Sequence, residues 1–397
     1  MQDYFSRSAV HLLTQALRHY PVVVVTGARQ TGKSTLLRHA LAGWTMVSLE
    51  DLDVREFAQK DPRLFLQQHG TPLIIDEAQR VPALFSYIQT TVDTSGRMGQ
   101  YVLSGSQQFS LLAGITQSLA GRASLIELYP LSLKEHTNAG VTPASIDQCL
   151  WQGSYPAVFA RELDPQRYYA DYIGSYLERD VRSLTAVQDL SNFQRFLRLC
   201  ATRTGRLLNL HALANDCGIS QPTANAWMSV LEASYVVTRI APYYRNFGKR
   251  LVKTPKLYFT DTGLCAWLLG ITSAQQMAAH YARGALFETW VVMEALKWRA
   301  AQGDKQPLYF WRDNIGNEID LLLEQQGGIT LVEIKSGNVV GSDALTSLQT
   351  VQRHIGEQTT VRKAVVYGGK QDLERSDVSV LSWHSLDRVG LPASAGG

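Results

Sequence analysis

The stretch Gly27-Ala28-Arg29-Gln30-Thr31-Gly32-Lys33-Ser34, entered directly from the apolar run Val22 to Val25, constrains this chain more than any other segment. It has the G-x-x-x-x-G-K-[ST] spacing, and it lies between an expected strand and an expected helix running from Ser34 to about Ala42. Glycines let the backbone curl until successive N–H groups converge on phosphate oxygens, and the positive end of the following helix adds to that field. Gly27, Ala28, Arg29, Gln30, Thr31, Gly32 and Thr35 are therefore read as a phosphate cradle. Lys33 is read as the cation that reaches the outer phosphates, and the Ser34 hydroxyl as a Mg²⁺ ligand.

A second segment, Pro72-Leu73-Ile74-Ile75-Asp76-Glu77, reads as a short buried strand ending in two carboxylates. At the ligand edge of a parallel sheet, Asp76 would hold Mg²⁺ through water and Glu77 would polarise the water that attacks the outer phosphate of ATP. Further strands are expected at Thr45–Leu49, Gln100–Leu103 and Ser124–Leu128, with helical segments at Val10–Leu17 and Leu84–Val92. Strands alternating with helices give an α/β fold with a parallel sheet. The strand ending in Ser104-Gly105-Ser106 places a hydroxyl, from either serine, beside the acid pair, unless these are simple turn serines. Arg122, just before the last strand, is positioned to stabilise transition-state charge on a neighbouring subunit's nucleotide, or is an ordinary surface arginine.

At 397 residues the chain exceeds one compact core, and two to four domains are expected. No apolar run is long enough to span a bilayer, and Met1 to Arg7 lacks an apolar signal core. Four cysteines (Cys149, Cys200, Cys217, Cys265) lack metal or disulfide spacing. These features point to a cytoplasmic protein without a membrane partner. The formal net charge is only +3, so any nucleic-acid affinity must come from local patches.

One such patch follows a helical stretch from Tyr168 to about Thr204. Leu208–Ala214, a turn at Gly218 and a helix from Gln221 to Tyr235 read as a helix-turn-helix with Ser220 as N-cap. Trp227, Val230 and Leu231 would face inward, leaving Gln221, Thr223 and Asn225 at the recognition end. From Arg239 to Lys256 there are six basic residues (Arg239, Arg245, Lys249, Arg250, Lys253, Lys256), interleaved with Tyr243, Tyr244 and Phe247. That is the pattern of a winged helix with a phosphate-gripping wing, in which Arg245, Lys249 and Arg250 would hold the backbone of DNA. An interdomain packing module is the alternative.

The last third carries a second set of acids. Gly316–Leu323 and Ile329–Lys335 read as two strands around a turn at Gly327–Gly328. Residues two apart in a strand share a face, so Glu333 and Lys335 point the same way, and the hairpin can bring Asp320 alongside. Glu288, on a helix from Gly284 to Arg299, adds a further carboxylate. Acids holding Mg²⁺ beside a lysine suit phosphodiester hydrolysis; a hairpin with surface charges, or an inactive nuclease-like fold retained for binding in an ATP-gated switch, are the alternatives.

These pieces in order resemble a large bacterial and archaeal family of AAA-type ATPases whose C-terminal region contains a winged helix and an endonuclease-like domain. The matching segments are Gly27–Ser34, Ile75–Gln79, Leu103–Ser106, Leu119–Arg122, Tyr258–Leu264, Gly316–Asp320 and Val332–Lys335. The resemblance implies an AAA-type core over 1–134, a helical lid over 135–204, and a winged helix over 205–262. A PD-(D/E)xK nuclease-like domain over 263–390 and a tail over 391–397 would follow. It also implies ATP and Mg²⁺ as cofactors, Lys33, Glu77 and Arg122 in hydrolysis, and Asp320, Glu333 and Lys335 as the nuclease motif, with Glu288, Asp320 and Glu333 on metal.

Overall fold

A computed structural model describes residues 4–106, 118–177, 189–243, 253–325, 328–355, 360–375 and 377–389. Arg245, Lys249, Arg250, Gly327 and the tail 391–397 lie outside the described residues. Among the described residues, no helix is long and apolar enough to cross a membrane.

The amino-terminal part is built on β1 (Val22–Thr26), β2 (Thr45–Ser48), β3 (Leu73–Asp76), β4 (Tyr101–Gly105) and β5 (Ala123–Glu127). They form one parallel sheet in the order β2-β3-β4-β1-β5. The uninterrupted valines of β1 follow from burial on both faces. Val22 and Val24 pack with Phe65, Phe85 and Ile88 on one side, while Val23 and Val25 pack with Leu13, Leu36 and Leu37 on the other. Helices Ala9–His19 and Lys33–Ala40 cover the second face, and Ala83–Ser95 covers the first. Two helices between β2 and β3, Leu52–Lys60 and Pro62–His69, were not expected from the sequence. Each is announced by an aspartate N-cap, Asp51 accepting from Asp53 and Val54, and Asp61 accepting from Leu64.

The helix-turn-helix elements lie where expected, as Leu210–Cys217 and Gln221–Ala233, joined through Gly218 in the left-handed region (φ 74°). Phe193 and Phe196 of the helix Leu190–Ala201 pack edge-on against Trp227 at 5.4 and 5.6 Å, which fixes the inward face. Around them run β6 (Arg206–Leu207), β7 (Val237–Pro242) and β8 (Lys256–Phe259).

The C-terminal part contributes β9 (Leu308–Arg312), β10 (Glu318–Gln325), β11 (Gly328–Lys335), β12 (Val361–Tyr367), β13 (Leu373–Arg375) and β14 (Val378–Ser382). It does not form a separate sheet. β7 runs parallel to β9, pairing Ala241 with Tyr309 and Pro242 with Phe310. One sheet therefore continues in the order β13-β14-β12-β11-β10-β9-β7-β8-β6. The helix Arg283–Gln302 precedes β9 and buries residues all round, including Phe287, Trp290, Val292, Glu294 and Lys297. Its Lys297 ammonium donates to the Leu131 carbonyl at 2.8 Å, and its Glu294 accepts from the Leu133 amide at 2.8 Å, anchoring it to the amino-terminal part.

Asp261 is a second cross-brace. It accepts from the Ser154 amide (2.8 Å), the Tyr169 hydroxyl (2.7 Å) and the Leu264 amide (2.9 Å) at 2% exposure. The segment Tyr258–Leu264 thus serves structure: a Cβ on Gly263 would come within 2.7 Å of the Gly153 backbone.

Candidate nucleotide site and a buried acid cluster

At the end of β1 the chain turns through Gly27, where a Cβ would lie 2.1 Å from the Leu128 carbonyl oxygen, and Gly32, at φ 91°. The Lys33 ammonium is buried against the loop, donating to the Gly27 and Ala28 carbonyls at 2.9 and 2.8 Å. Thr31 closes the loop by donating to Ala28 at 2.9 Å. Arg7, which sequence reasoning did not single out, clamps it from behind. Its guanidinium donates to the carbonyls of Thr31 (2.7 Å) and Tyr129 (2.6 Å) and lies 3.1 Å from Glu135.

Asp76, at the end of β3, faces the first residues of the helix after the loop. The Ser34 hydroxyl donates to its Oδ2 at 2.7 Å, and the Ser104 hydroxyl to its Oδ1 at 2.5 Å. Glu77 follows in the left-handed region (φ 55°), a backbone setting uncommon for a residue with a Cβ. Gln79 donates to its carboxylate at 2.6 Å, and Ser106 approaches at 3.5 Å. Burial pushes the Glu77 carboxyl above its ordinary range; Lys33 and Arg29 pull it down, and Asp76 pushes it up. The two candidate serines thus divide the work, Ser104 on Asp76 and Ser106 toward Glu77.

Lys33, Ser34, Asp76, Glu77 and Ser106 line a cavity of about 800 Å³ together with Arg29, Gln30, Thr31, Gly32 and Thr35. Its opposite wall comes from the helices Pro156–Ala160 and Pro165–Tyr172, which bring Arg161 and Arg167 to the cavity. Sequence reasoning found no such arginine, because the spacing of Tyr168 and Tyr172 reveals a core face and is silent on its charged neighbours. A hydroxyl and a buried carboxylate in hydrogen-bond contact are the donor set Mg²⁺ takes from protein when phosphates and water supply the rest, so Ser34 and Asp76 fit that ion.

Arg122 is not brought to this cavity. Its carbonyl accepts from the Val22 amide at the start of β1, the edge opposite the loop, about 16 Å away by strand rise. Its guanidinium instead grips Asp93 at 2.5 and 2.8 Å. Tyr235 links the loop to the helix-turn-helix: its hydroxyl lies 3.2 Å from Thr26 Oγ1 and 3.1 Å from Glu127 Oε1.

On the helix Gln221–Ala233, Gln221 and Asn225 are exposed and Thr223 is half-buried, with its hydroxyl 2.7 Å from Ser220. Two of the six basic residues are committed internally. Arg239 pairs with Glu232 at 2.5 and 2.7 Å, and Lys256 is buried.

Lys256 is buried among acids. Its ammonium is 2.7 Å from Glu288, contacts Glu318, and is 3.8 Å from Asp320. Asp320 accepts from the Ile334 amide at 2.8 Å, and Lys335 lies 2.9 Å from Glu333 and 3.4 Å from Asp343. Burial, with Glu288 and Glu333, pushes the Asp320 carboxyl well above its usual range. Burial also raises Glu333, against the pull of Lys335. Among the described residues, no three acid, histidine or cysteine side chains converge as a ready metal site. The expected trio Glu288, Asp320 and Glu333 is thus gathered into one region but not closed around an ion, because an ammonium stands among its acids. Hard carboxylate oxygens, and a buried Glu333 Oε2 with no hydrogen-bond partner among the described residues, still suit a divalent cation.

A family model described as "AAA domain" matches residues 19–137. Two further models, each described as a domain of unknown function (DUF8612 and DUF4143), match residues 143–275 and 283–386. The uncharacterized protein Rv2008c of Mycobacterium tuberculosis is 32% identical over 383 residues, covering 94% of this chain and 82% of that protein. An uncharacterized protein of Haemophilus influenzae is 24% identical over 283 residues, covering 63% of this chain and 69% of its own. Among solved structures, the Walker-type ATPase PABY2304 of Pyrococcus abyssi aligns at a TM-score of 0.47 and 15% identity, covering 67% of this chain and 96% of that one.

Proposed function

Because this chain belongs to the same family as the mycobacterial protein Rv2008c and carries an AAA domain of P-loop ATPase type, we propose that it binds and hydrolyses ATP and uses that cycle on nucleic acid. The convergence of Ser34 and Ser104 on Asp76, with Glu77 next in the chain and Lys33 seated in the loop, carries the reading. Lys33 exchanges its two carbonyl partners for phosphate oxygens. Ser34 and Asp76 would hold Mg²⁺, which neutralises charge building on the phosphates. Glu77 accepts the proton of the attacking water, and Gln79 and Ser106 hold its carboxylate in place. Lys33→Ala should abolish ATP turnover; an unchanged rate in that variant refutes the assignment.

The finer reading makes the helix-turn-helix with β7 and β8 a winged helix, and the C-terminal part a metal-dependent phosphodiesterase. The order helix Arg283–Gln302, β9, β10, β11, helix Ser342–Ile355, β12 supports it, with Asp320, Glu333 and Lys335 on adjacent strands. DNA is the favoured substrate, met by Gln221, Thr223 and Asn225, and Arg122 is assigned to a neighbouring copy's nucleotide. A cleavage panel of single- and double-stranded DNA and RNA, with and without Mg²⁺ and ATP, tests it against Asp320→Asn. No cleavage by the wild type removes the nuclease half. The placement of Lys256 favours a second reading, an ATP-gated binding switch that does not cut.

A further inference from the structure

Between Glu288, Glu318 and Asp320 the chain has already placed a cation of its own. Lys256 opens β8, and the period of two puts it on the same face as Tyr258. Both reach Glu288 Oε1, the ammonium at 2.7 Å and the Tyr258 hydroxyl at 2.6 Å. The same ammonium touches Glu318, stands 3.8 Å from Asp320, and sits 5.4 Å above the Phe310 ring, with 3% of the side chain exposed. A compact cation thus stands against three carboxylates.

The charges around it do not balance. Arg312 lies 2.7 Å from Glu318, and Lys335 is shared by Glu333 and Asp343. Among the described residues, five carboxylates, counted as ionised, meet three cations, an excess of the size one divalent ion would offset. The oxygen positioned to receive it is Glu333 Oε2, buried and without a hydrogen-bond partner among the described residues. Neither Lys256 nor Glu318 was assigned a part in this region by the sequence.

We propose that Lys256 is a resident counter-cation: its ammonium keeps the acids assembled in the metal-free protein, and a divalent ion binds at Asp320 and Glu333 only by displacing it. An ammonium on a four-carbon stem can withdraw without moving the strand that bears it. This inference rests on the metal-site reading above, and the experiment separates the two.

The full chain is titrated calorimetrically with MnCl₂ alone, and its Tm is followed with and without Mn²⁺. Lys256→Met keeps the stem over Phe310 and removes the charge; Lys256→Arg keeps the charge. Lys256→Met should bind Mn²⁺ at least tenfold more tightly than wild type and gain more Tm from it. Lys256→Arg should stay as weak as wild type, and adding Asp320→Asn to Lys256→Met should abolish the gain. If Lys256→Met does not fold, Lys256→Gln replaces it with the same expectations. Mn²⁺ binding of equal strength in wild type and the uncharged variant overturns the counter-cation and leaves the metal site standing. No Mn²⁺ uptake by any of them overturns both.

Discussion

Replacing Arg7 by alanine tests whether the phosphate loop is held from behind. In the folded chain this guanidinium has three jobs: it donates to the Thr31 carbonyl, donates to the Tyr129 carbonyl, and lies 3.1 Å from Glu135, with 5% of its side chain exposed. Truncation leaves the Glu135 carboxylate buried with only the Ser8 and Ser132 amides, at 2.7 and 2.9 Å. Removing one partner of a buried pair costs about 3–5 kcal/mol, to which the two lost carbonyl bonds do not simply add. The folding constant should therefore fall by roughly two to four powers of ten. Burial pushes the Glu135 carboxyl up, but Arg7 and the two amides outweigh it and hold it below its ordinary value of 4.5. A depressed carboxyl contributes stability that is present above its unfolded pKa and lost as pH falls through the folded one. Urea unfolding at pH 7 and at pH 4 reads both effects. In wild type the Glu135 contribution is complete at neutral pH and declines in acid below 4.5. In Arg7→Ala, which removes the main lowering pull on Glu135, that acid decline should be smaller, so the variant is penalised more at pH 7 than at pH 4. The KM for ATP should rise as Thr31 loses its brace. A loss below about 1 kcal/mol, the value of an exposed ion pair, would show that Arg7 does not brace the loop.

Four further outcomes are expected. Glu77→Gln should retain ATP binding and lose about 10²- to 10⁴-fold in kcat. In wild type the rate should fall as pH drops through the Glu77 pKa, which lies above the usual 4.5, and steady-state hydrolysis across pH checks both. Arg161→Ala or Arg167→Ala should raise the KM for ATP about tenfold with little change in Tm, since each presents a charge to the cavity. Equilibrium titration with a fluorescent nucleotide would expose an unaffected affinity. Asp261→Ala should cost about 3–5 kcal/mol in a denaturant melt, because the Ser154 and Leu264 amides and the Tyr169 hydroxyl lose one common acceptor; a neutral substitution would sink the cross-brace.

What the sequence made legible depended on how local the cause was. β1 and β3 fell within a residue of their expected ends, because strands covered on both faces must be apolar runs and the loop glycines mark where β1 stops. Gly27 and Gly32 could be read because no other residue tolerates those positions well. Lys256 shows the opposite case. Counted within a basic run it suggests a phosphate grip, yet β8 turns it inward toward acids contributed by one helix and one strand many residues downstream. The alternation of Lys256 with Tyr258 was a visible signal of a shared face, but nothing local said that the face was buried. Arg7, Arg161 and Arg167 were missed for a related reason. Their importance comes from elements folding back over the loop, which no spacing around them records. The pairing of β7 with β9, through Ala241–Tyr309 and Pro242–Phe310, joins the C-terminal strands into one continuous sheet and had no local signal either.

The helix Arg283–Gln302 acts as a connecting rod. Glu288 grips Lys256 and Tyr258 near one end, while Glu294 and Lys297 are moored to the Leu133 amide and the Leu131 carbonyl just past β5. The first two of these attachment points are six residues apart on a rigid cylinder, about 9 Å along its axis. A displacement of the segment just past β5 would therefore reach the acids through this single helix.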